Sequence, residues 1–282
     1  MIYLFLNIIF SSSFILIFRW VQDRDEDLTT VGATSYIASA VLAALLFLFS
    51  DNQTLSINAT LLGAVNGIAY FLGYLLLIPV LFWKGAALTA VASRLAMLMP
   101  IVFGILFWGE RPSLWQTIGI GFGTFSLILI GQNKTRIGKS NIPTRIIVLM
   151  LMFFLVAGLA RTSQEAFKYY GTPEEIVFFV LAAFSIASLA SLAIIHFRKL
   201  RPTLSEIIIG TVVGFSNCLQ TVFLLKALEK FPGFIVFPII SAGGLLFTTS
   251  VAVFLFKEPL SKRSALGIAI AILAMALLYI DH

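Results

Sequence analysis

Charged side chains are scarce in this sequence. Of its 282 residues only 11% are Asp, Glu, Lys or Arg, whereas 60% are hydrophobic, and the mean hydropathy is +1.02. Water-soluble domains carry about 25% charged residues, which they need to cover their surface. The composition therefore excludes a soluble globular protein and predicts an integral membrane protein.

Cysteine and histidine are nearly absent. The only cysteine, Cys218, lies in an apolar segment and cannot form an intramolecular disulfide. The two histidines, His196 and His282, stand at a predicted helix end and at the last position. The sequence also contains no HExxH motif, P-loop, CxxC pair or nucleophile elbow. We therefore expect no enzyme activity, no metal site and no bound cofactor.

Long apolar runs fill most of the chain. A helix needs about 20 residues to cross a hydrocarbon core about 30 Å thick, and ten runs approach or exceed that length. They lie at 2–20, 29–49, 59–82, 86–108, 113–131, 146–166, 174–197, 204–228, 233–256 and 263–280. The pattern predicts an all-α integral membrane protein with ten transmembrane helices.

The two halves of the sequence resemble each other. The segment GAVNG at 63–67 matches GTVVG at 210–214, and a Glu-Ser-Gly spacing that begins at Glu110 recurs at Glu258. Agreement at half the chain length indicates an internal duplication. Because five helices is an odd number, the second copy begins on the opposite face of the membrane, as in many secondary transporters. We predict a first inverted five-helix repeat at 1–132, a polar linker at 133–145 and a second repeat at 146–282.

Basic residues are distributed unevenly between the predicted loops. Of the 19 Lys and Arg residues, thirteen fall in loops after odd-numbered helices, five lie on the opposite face, and Arg94 lies within a helix. Cytoplasmic loops carry the excess of Lys and Arg. The protein is therefore predicted to span the cell membrane several times with both termini outside the cytoplasm. The net charge of +6 reflects this orientation, so we expect the lipid bilayer and not nucleic acid as a partner.

The order of these features resembles the EamA-like branch of the drug/metabolite transporter superfamily. An acidic residue and a short polar turn precede the last helix of each half, QTIGIGFGTFSLILIG at 116–131 and SALGIAIAILAMALLYI at 264–280, and LLKALEKFPGFIVFPI at 224–239 adds to the likeness. The resemblance implies a ten-helix transporter of a small-molecule substrate, with a central cavity lined by both halves. It implies no particular substrate. We expect a monomer or a homodimer.

Polar side chains recur inside the predicted helices and are candidates for lining a cavity. In the third helix, Asn66, Tyr70 and Tyr74 are four residues apart and share one face. At the repeat offset Tyr70 corresponds to Asn217, and Ser93 corresponds to Ser241. The alternative is that these groups only bond neighbouring helices, at typically under ~1 kcal/mol each. The predicted substrate-binding set is Ser12, Asn66, Tyr70, Tyr74, Ser93, Arg94, Asn217, Gln220 and Ser241.

Arg94 is the charged residue deepest within a predicted helix. Counted from Lys84, it lies about 15 Å along the helix, which is half of the hydrocarbon core. A charge there costs between ~2.5 and ~17 kcal/mol. Two interpretations remain open. Either Arg94 binds carbonyls freed by Pro100 or by a neighbouring helix, or it faces the cavity and binds an anionic group of the substrate, whose two oxygens suit a guanidinium.

Two further charged residues, Arg161 and Glu165, are four apart on the sixth helix and can pair along one face. A count from the basic linker places Arg161 toward the outer side, where the pair is predicted to form a gate.

Glu110 and Glu258 end helices beside basic residues, and we interpret them as structural contacts, not as proton relays. A multidrug exporter of the same fold would need a buried acid, for which Glu165 is the candidate. A non-transporting receptor or scaffold should have large soluble loops, which this sequence lacks.

Overall fold

The computed structural model describes residues 1–22, 26–50, 53–84, 93–132, 144–254 and 262–280. Within them the chain forms ten α-helices and a 3₁₀ turn at Pro173–Glu175. The α-helices are α1 (Ile2–Gln22), α2 (Leu28–Leu48), α3 (Ile57–Lys84), α4 (Leu98–Phe107), α5 (Leu114–Gln132), α6 (Thr144–Tyr170), α7 (Ile176–Phe197), α8 (Leu204–Lys230), α9 (Gly233–Phe254) and α10 (Lys262–Tyr279). The all-α prediction is confirmed for this part of the chain. Glu258 and most of the predicted linker lie outside the described residues.

Six of these helices, α2, α3, α6, α7, α8 and α9, contain segments long and apolar enough to cross a membrane. Shorter apolar segments lie in α1, α4, α5 and α10. Large apolar side chains such as Phe5, Leu114 and Phe197 are exposed on the surface. Hydrocarbon solvates such side chains, whereas water does not. The chain is a multi-pass membrane protein.

The predicted fourth helix is interrupted. The sequence suggested a continuous helix over 86–108, but the described part has a helical turn at 93–95, a non-helical turn at Ala96 and Met97, and then α4. Pro100 explains the break, because its ring lacks an N–H and clashes with the carbonyl four residues earlier, that of Ala96. The amide of Met97 instead donates to the carbonyl of Arg94, at 3.1 Å.

The chain divides into two compact units. Unit 1 comprises Met1–Leu75 and Thr162–Lys230, and unit 2 comprises Leu76–Arg161 and Phe231–His282. Each unit therefore combines parts of both halves of the sequence, and the boundaries fall inside α3 and α6. This is a division by packing. The division into repeats at 1–132 and 146–282 remains a prediction.

Unit 1 is held together by helices that cross at glycines. A Cβ atom placed on Gly63 of α3 would lie 2.8 Å from the carbonyl oxygen of Phe179 on α7. One placed on Gly210 of α8 would lie 2.9 Å from the carbonyl oxygen of Val31 on α2. The absence of a side chain thus allows each pair of backbones to touch, as small residues do between membrane helices.

The next turn of each helix repeats this arrangement. A Cβ on Gly67 would collide with the carbonyl of Ala183, and a Cβ on Gly214 would collide with the carbonyl of Ser35. Gly67 and Gly214 are 147 residues apart, and Ser35 and Ala183 are 148 residues apart. The two crossings, α3 on α7 and α8 on α2, therefore use corresponding residues of the two sequence halves.

Unit 2 is built mainly from α4, α5, α9 and α10, with α5 packed along α10. The carboxylate of Glu110, between α4 and α5, accepts the amide of Gly233 at 3.1 Å and that of Phe234 at 3.4 Å. It thereby satisfies N–H groups at the start of α9 that have no partner within the helix. Its negative charge also interacts favourably with the positive end of the helix dipole. Glu110 is a structural contact, as its position in the sequence suggested.

The crossings predict which glycines tolerate a methyl group. Gly67→Ala and Gly214→Ala should each destabilise the protein by about 1–3 kcal/mol, because the new Cβ meets backbone that cannot move aside. Thermal unfolding of the purified protein in detergent measures the effect. Gly121→Ala on α5 is the matched control, since nothing lies within 4 Å of its Cβ position and alanine favours a helix. Equal melting temperatures for all three variants would contradict the tight crossings.

Candidate functional site

Unit 1 contains a group of polar side chains that we call the Tyr70 cluster: Asn66, Tyr70, Ser163, Gln164 and Thr221, contributed by α3, α6 and α8. Its centre is the Tyr70 hydroxyl, which accepts a hydrogen bond from Nε2 of Gln164 at 2.7 Å and shares one with Oγ1 of Thr221 at 3.0 Å. Nδ2 of Asn66 donates to Oγ of Ser163 at 2.9 Å. Three helices of unit 1 are thus joined by side-chain hydrogen bonds.

The cluster is buried. Asn66 is 0% exposed, and Gln164 and Thr221 are each 1% exposed. A buried amide or hydroxyl costs free energy unless it is hydrogen-bonded, so the bonds within the cluster are what makes its burial possible. Tyr70 is only partly buried, so that one member of the cluster lies at its accessible edge.

A second polar group in unit 1 joins α1 to α8. Nε2 of Gln220 donates to Oδ1 of Asn217 at 2.7 Å, and Nδ2 of Asn7 donates to the carbonyl of Gln220 at 2.7 Å. Oδ1 of Asn7 is buried and has no hydrogen-bond partner in the described part of the chain. Ser12, the predicted site residue of α1, is fully buried.

Tyr74 does not join the Tyr70 cluster. Its hydroxyl donates to the carbonyl of Leu28 at the start of α2, and its ring lies against Gly32 and edge-on to Tyr36. Residues four apart advance 400° around a helix, so each step of four drifts by about 40°. Over the eight residues from Asn66 to Tyr74 this drift turns the side chain toward α2.

Sequence reasoning missed Asn7, Gln164 and Thr221 as members of these polar groups. A signal was present for Gln164, because RTSQE at 161–165 is a polar run inside an apolar helix. Asn7 stands alone among apolar neighbours, and Thr221 directly follows Gln220, which was the predicted residue of that pair. No pattern in the sequence distinguishes them from residues that bond their own helix.

Unit 2 contains Arg94 and its surroundings. Nη1 of Arg94 donates to the carbonyl of Ser241 on α9 at 2.5 Å. Nε of Arg94 is buried and has no hydrogen-bond partner among the described residues. Of the two interpretations of Arg94, binding to a neighbouring helix accounts for one N–H group and leaves the others for a second role.

A second arginine lies beside Arg94. Nη1 of Arg161, on α6, donates to the carbonyl of Ser93, the residue immediately before Arg94. The interrupted helix explains this contact. In a continuous helix the Ser93 carbonyl would accept the amide of Met97, which here donates to Arg94 instead. The predicted residues Ser93 and Ser241 thus contribute carbonyl oxygens, and each binds an arginine.

Of the predicted gate residues, Arg161 lies in unit 2 and Glu165 in unit 1. Glu165 is 0% exposed, and Nζ of Lys168, one turn along α6, lies 3.8 Å from its Oε1. The position of Arg161 along its helix, counted in residues from the linker, does not predict its contact with Ser93. The role of the two residues as a gate remains a prediction.

Three comparisons relate the chain to known proteins. Residues 1–132 match the model of the EamA-like transporter family. Over 219 residues, 74% of each chain, the sequence is 25% identical to an uncharacterized protein of Haemophilus influenzae. A crystal structure of a protein with 15% sequence identity superposes with a TM-score of 0.80, covering 99% of this chain and 96% of that chain. A likeness at so low an identity is one of fold alone.

The family match bears on function at a coarse level. EamA-like proteins are membrane transporters of small molecules and not enzymes, which agrees with the polar clusters inside apolar helices. The match names neither a substrate nor a direction of transport. The resemblance to EamA-like transporters that the sequence suggested is confirmed for residues 1–132.

Proposed function

We propose that the chain is a secondary transporter, exporting or importing a small polar organic metabolite that is anionic or zwitterionic, such as an amino acid. The observation that carries this proposal is the Tyr70 cluster, which places amide and hydroxyl groups in the interior of apolar helices. A polar solute can exchange its hydrogen bonds with such groups at small net cost, because each bond broken is replaced by another. Transporter sites of this kind lie between helices near the membrane midplane.

The binding residues are proposed in two groups, one in each unit. In unit 1 they are Asn66, Tyr70, Asn217, Gln220, Ser12 and Tyr74, to which the structure adds Gln164 and Thr221. In unit 2 they are Arg94, Ser93 and Ser241, with Arg94 binding the negative group of the solute. Arg161 and Glu165 are proposed as the gate.

The proposed architecture is ten membrane-crossing helices in two inverted repeats, in the cell membrane, with both termini outside the cytoplasm. The paired glycine crossings support the repeats, since Gly63 and Gly67 contact α7 in the same way as Gly210 and Gly214 contact α2. The uneven distribution of Lys and Arg supports the orientation.

A multidrug exporter of cations is the alternative within the same fold. It would use Glu165, which is buried as that mechanism requires. Against it, the ammonium group of Lys168 lies 3.8 Å from the Glu165 carboxylate and offsets the charge that would attract a cation. A polar solute is therefore the better-supported substrate.

The Tyr70 cluster predicts an effect of Tyr70→Phe on ligand binding. The variant leaves Gln164 and Thr221 without their shared partner, so its melting temperature should fall by an amount corresponding to about 1–3 kcal/mol. A metabolite of an amino-acid and carboxylate panel that stabilises the wild-type protein by mass action should stabilise this variant much less. Tyr36→Phe is the matched control, because among the described residues its hydroxyl binds the backbone carbonyl of Tyr70 and no side chain. Equal ligand-induced shifts in both variants would remove Tyr70 from the site.

The role of Arg94 predicts the outcome of two substitutions. Arg94→Lys should insert and fold normally yet lose most transport of an acidic or zwitterionic solute, because lysine cannot engage two oxygens in parallel. Arg94→Ala should lose transport altogether. Uptake into proteoliposomes measures both, with Arg198→Lys at an exposed helix end as the control. Unchanged transport by a well-folded Arg94→Ala protein would show that Arg94 does not hold the solute.

The proposed orientation predicts the behaviour of fusions at the C-terminus. Alkaline phosphatase placed after His282 should be active, because it matures only outside the cytoplasm. A fluorescent protein that matures only in the cytoplasm should stay dark at the same position. The reverse pattern would overturn the orientation.

A further inference from the structure

The interrupted helix of unit 2 brings two arginines to one place. The turn at Ala96 and Met97 diverts the Met97 amide from the Ser93 carbonyl, which then accepts Nη1 of Arg161. In a continuous helix this carbonyl would be occupied, and Arg161 would have no such anchor beside Arg94. The break therefore provides an anchor for the second guanidinium.

Arg94 is anchored in a similar way, on the carbonyl of the serine that corresponds to Ser93 in the second half of the sequence. Its Nη1 binds the carbonyl of Ser241, which uses one of its five N–H donors. Its buried Nε has no partner among the described residues. Nε and Nη2 point along one edge of the planar group, and that edge engages the two oxygens of a carboxylate or phosphate in parallel.

The electrostatics favour an anion at this place. Arg161 binds the carbonyl of the residue before Arg94, so that two positive charges lie near each other and repel, and Arg94 forms no ion pair with a carboxylate among the described residues. A buried charge without a counter-charge is costly. An oxyanion bound between the guanidinium groups of Arg94 and Arg161 would reduce their repulsion. It would also accept a hydrogen bond from Nε of Arg94.

Gly244 on α9 provides the space that the guanidinium occupies. A Cβ atom at this position would lie 2.9 Å from Nη1 and 3.4 Å from Nη2 of Arg94. The nearest atoms are thus the mobile end of a long side chain. An alanine here would displace the guanidinium without disturbing backbone.

We propose that Arg94 and Arg161 together form one oxyanion-binding site, which takes a carboxylate or phosphate group of the transported solute. The inference rests on the proposed transport function and adds Arg161 to its anion-binding residues, with Gly244 and the two serine carbonyls as positioning groups. The solute then carries at least one group with two or more anionic oxygens.

The test measures binding by the purified full chain in a phosphate-free maltoside detergent. The probes are glutamate, acetate, inorganic phosphate and glucose 6-phosphate as oxyanions, with glucose and choline as neutral and cationic comparisons. At least one oxyanion should raise the melting temperature of the wild-type protein, and glucose and choline should not. Carboxylate and phosphate probes separate the two chemistries, and added phosphatidylglycerol shows whether a lipid headgroup competes for the same site.

Three variants test the assignment of residues. Arg161→Lys and Gly244→Ala should fold and bind the stabilising oxyanion about tenfold more weakly or worse, because one charge-assisted hydrogen bond corresponds to such a factor. Gly121→Ala, with open space at its Cβ position, should bind like the wild-type protein. A purely structural role would lower the melting temperature of Arg161→Lys with and without the oxyanion but leave its affinity unchanged, and that result would overturn the proposal.

The outcome for this site is distinguishable from the outcome for transport. If reconstituted protein moves a neutral or cationic solute but no oxyanion binds, the two-arginine site is wrong and the transporter stands. If an oxyanion binds and both arginine-site variants weaken it, while no solute crosses the membrane, the site stands and the transport function is wrong.

Discussion

Polar groups inside hydrocarbon must find their partners within the protein, because no water is available there to bind them. The described structure meets this constraint in two ways. In the Tyr70 cluster, side chains of three helices form hydrogen bonds with one another. Around Arg94 and Arg161, charged donors bind carbonyl oxygens of the backbone. Oδ1 of Asn7 and Nε of Arg94 are buried and have no hydrogen-bond partner among the described residues.

Close helix packing makes both arrangements possible. In unit 1 the glycines of α3 and α8 let backbones touch at two corresponding crossings, which holds Asn66 and Tyr70 on α3, and Asn217 and Thr221 on α8, at defined positions. In unit 2 the Glu110 carboxylate fixes the start of α9, the helix that carries Ser241 and Gly244. Stabilising contacts and candidate binding residues therefore lie on the same helices.

The interrupted helix shows how a local backbone effect determines a contact with a distant helix. Pro100 prevents a regular helix at Ala96, and the displaced hydrogen bonding frees a carbonyl for Arg161. The sequence contains both Pro100 and Arg94, and Pro100 predicts a freed carbonyl near Arg94. What could not be predicted was that an arginine 68 residues away would bind it, because spacing within one helix says nothing about which other helix lies beside it.

The sequence by itself determined the class of protein, the approximate bounds of most of the described helices, and the family resemblance over residues 1–132, because hydrophobic length and periodicity follow directly from residue order. It also identified Asn66, Tyr70 and Arg94 as unusual, because polar groups stand out in apolar helices. The tertiary structure alone decided their partners: Ser163 for Asn66, Gln164 and Thr221 for Tyr70, and Ser241 for Arg94. Hydrogen bonding depends on distances between helices that are far apart in the chain, and these distances are set by packing at residues such as Gly67 and Gly214.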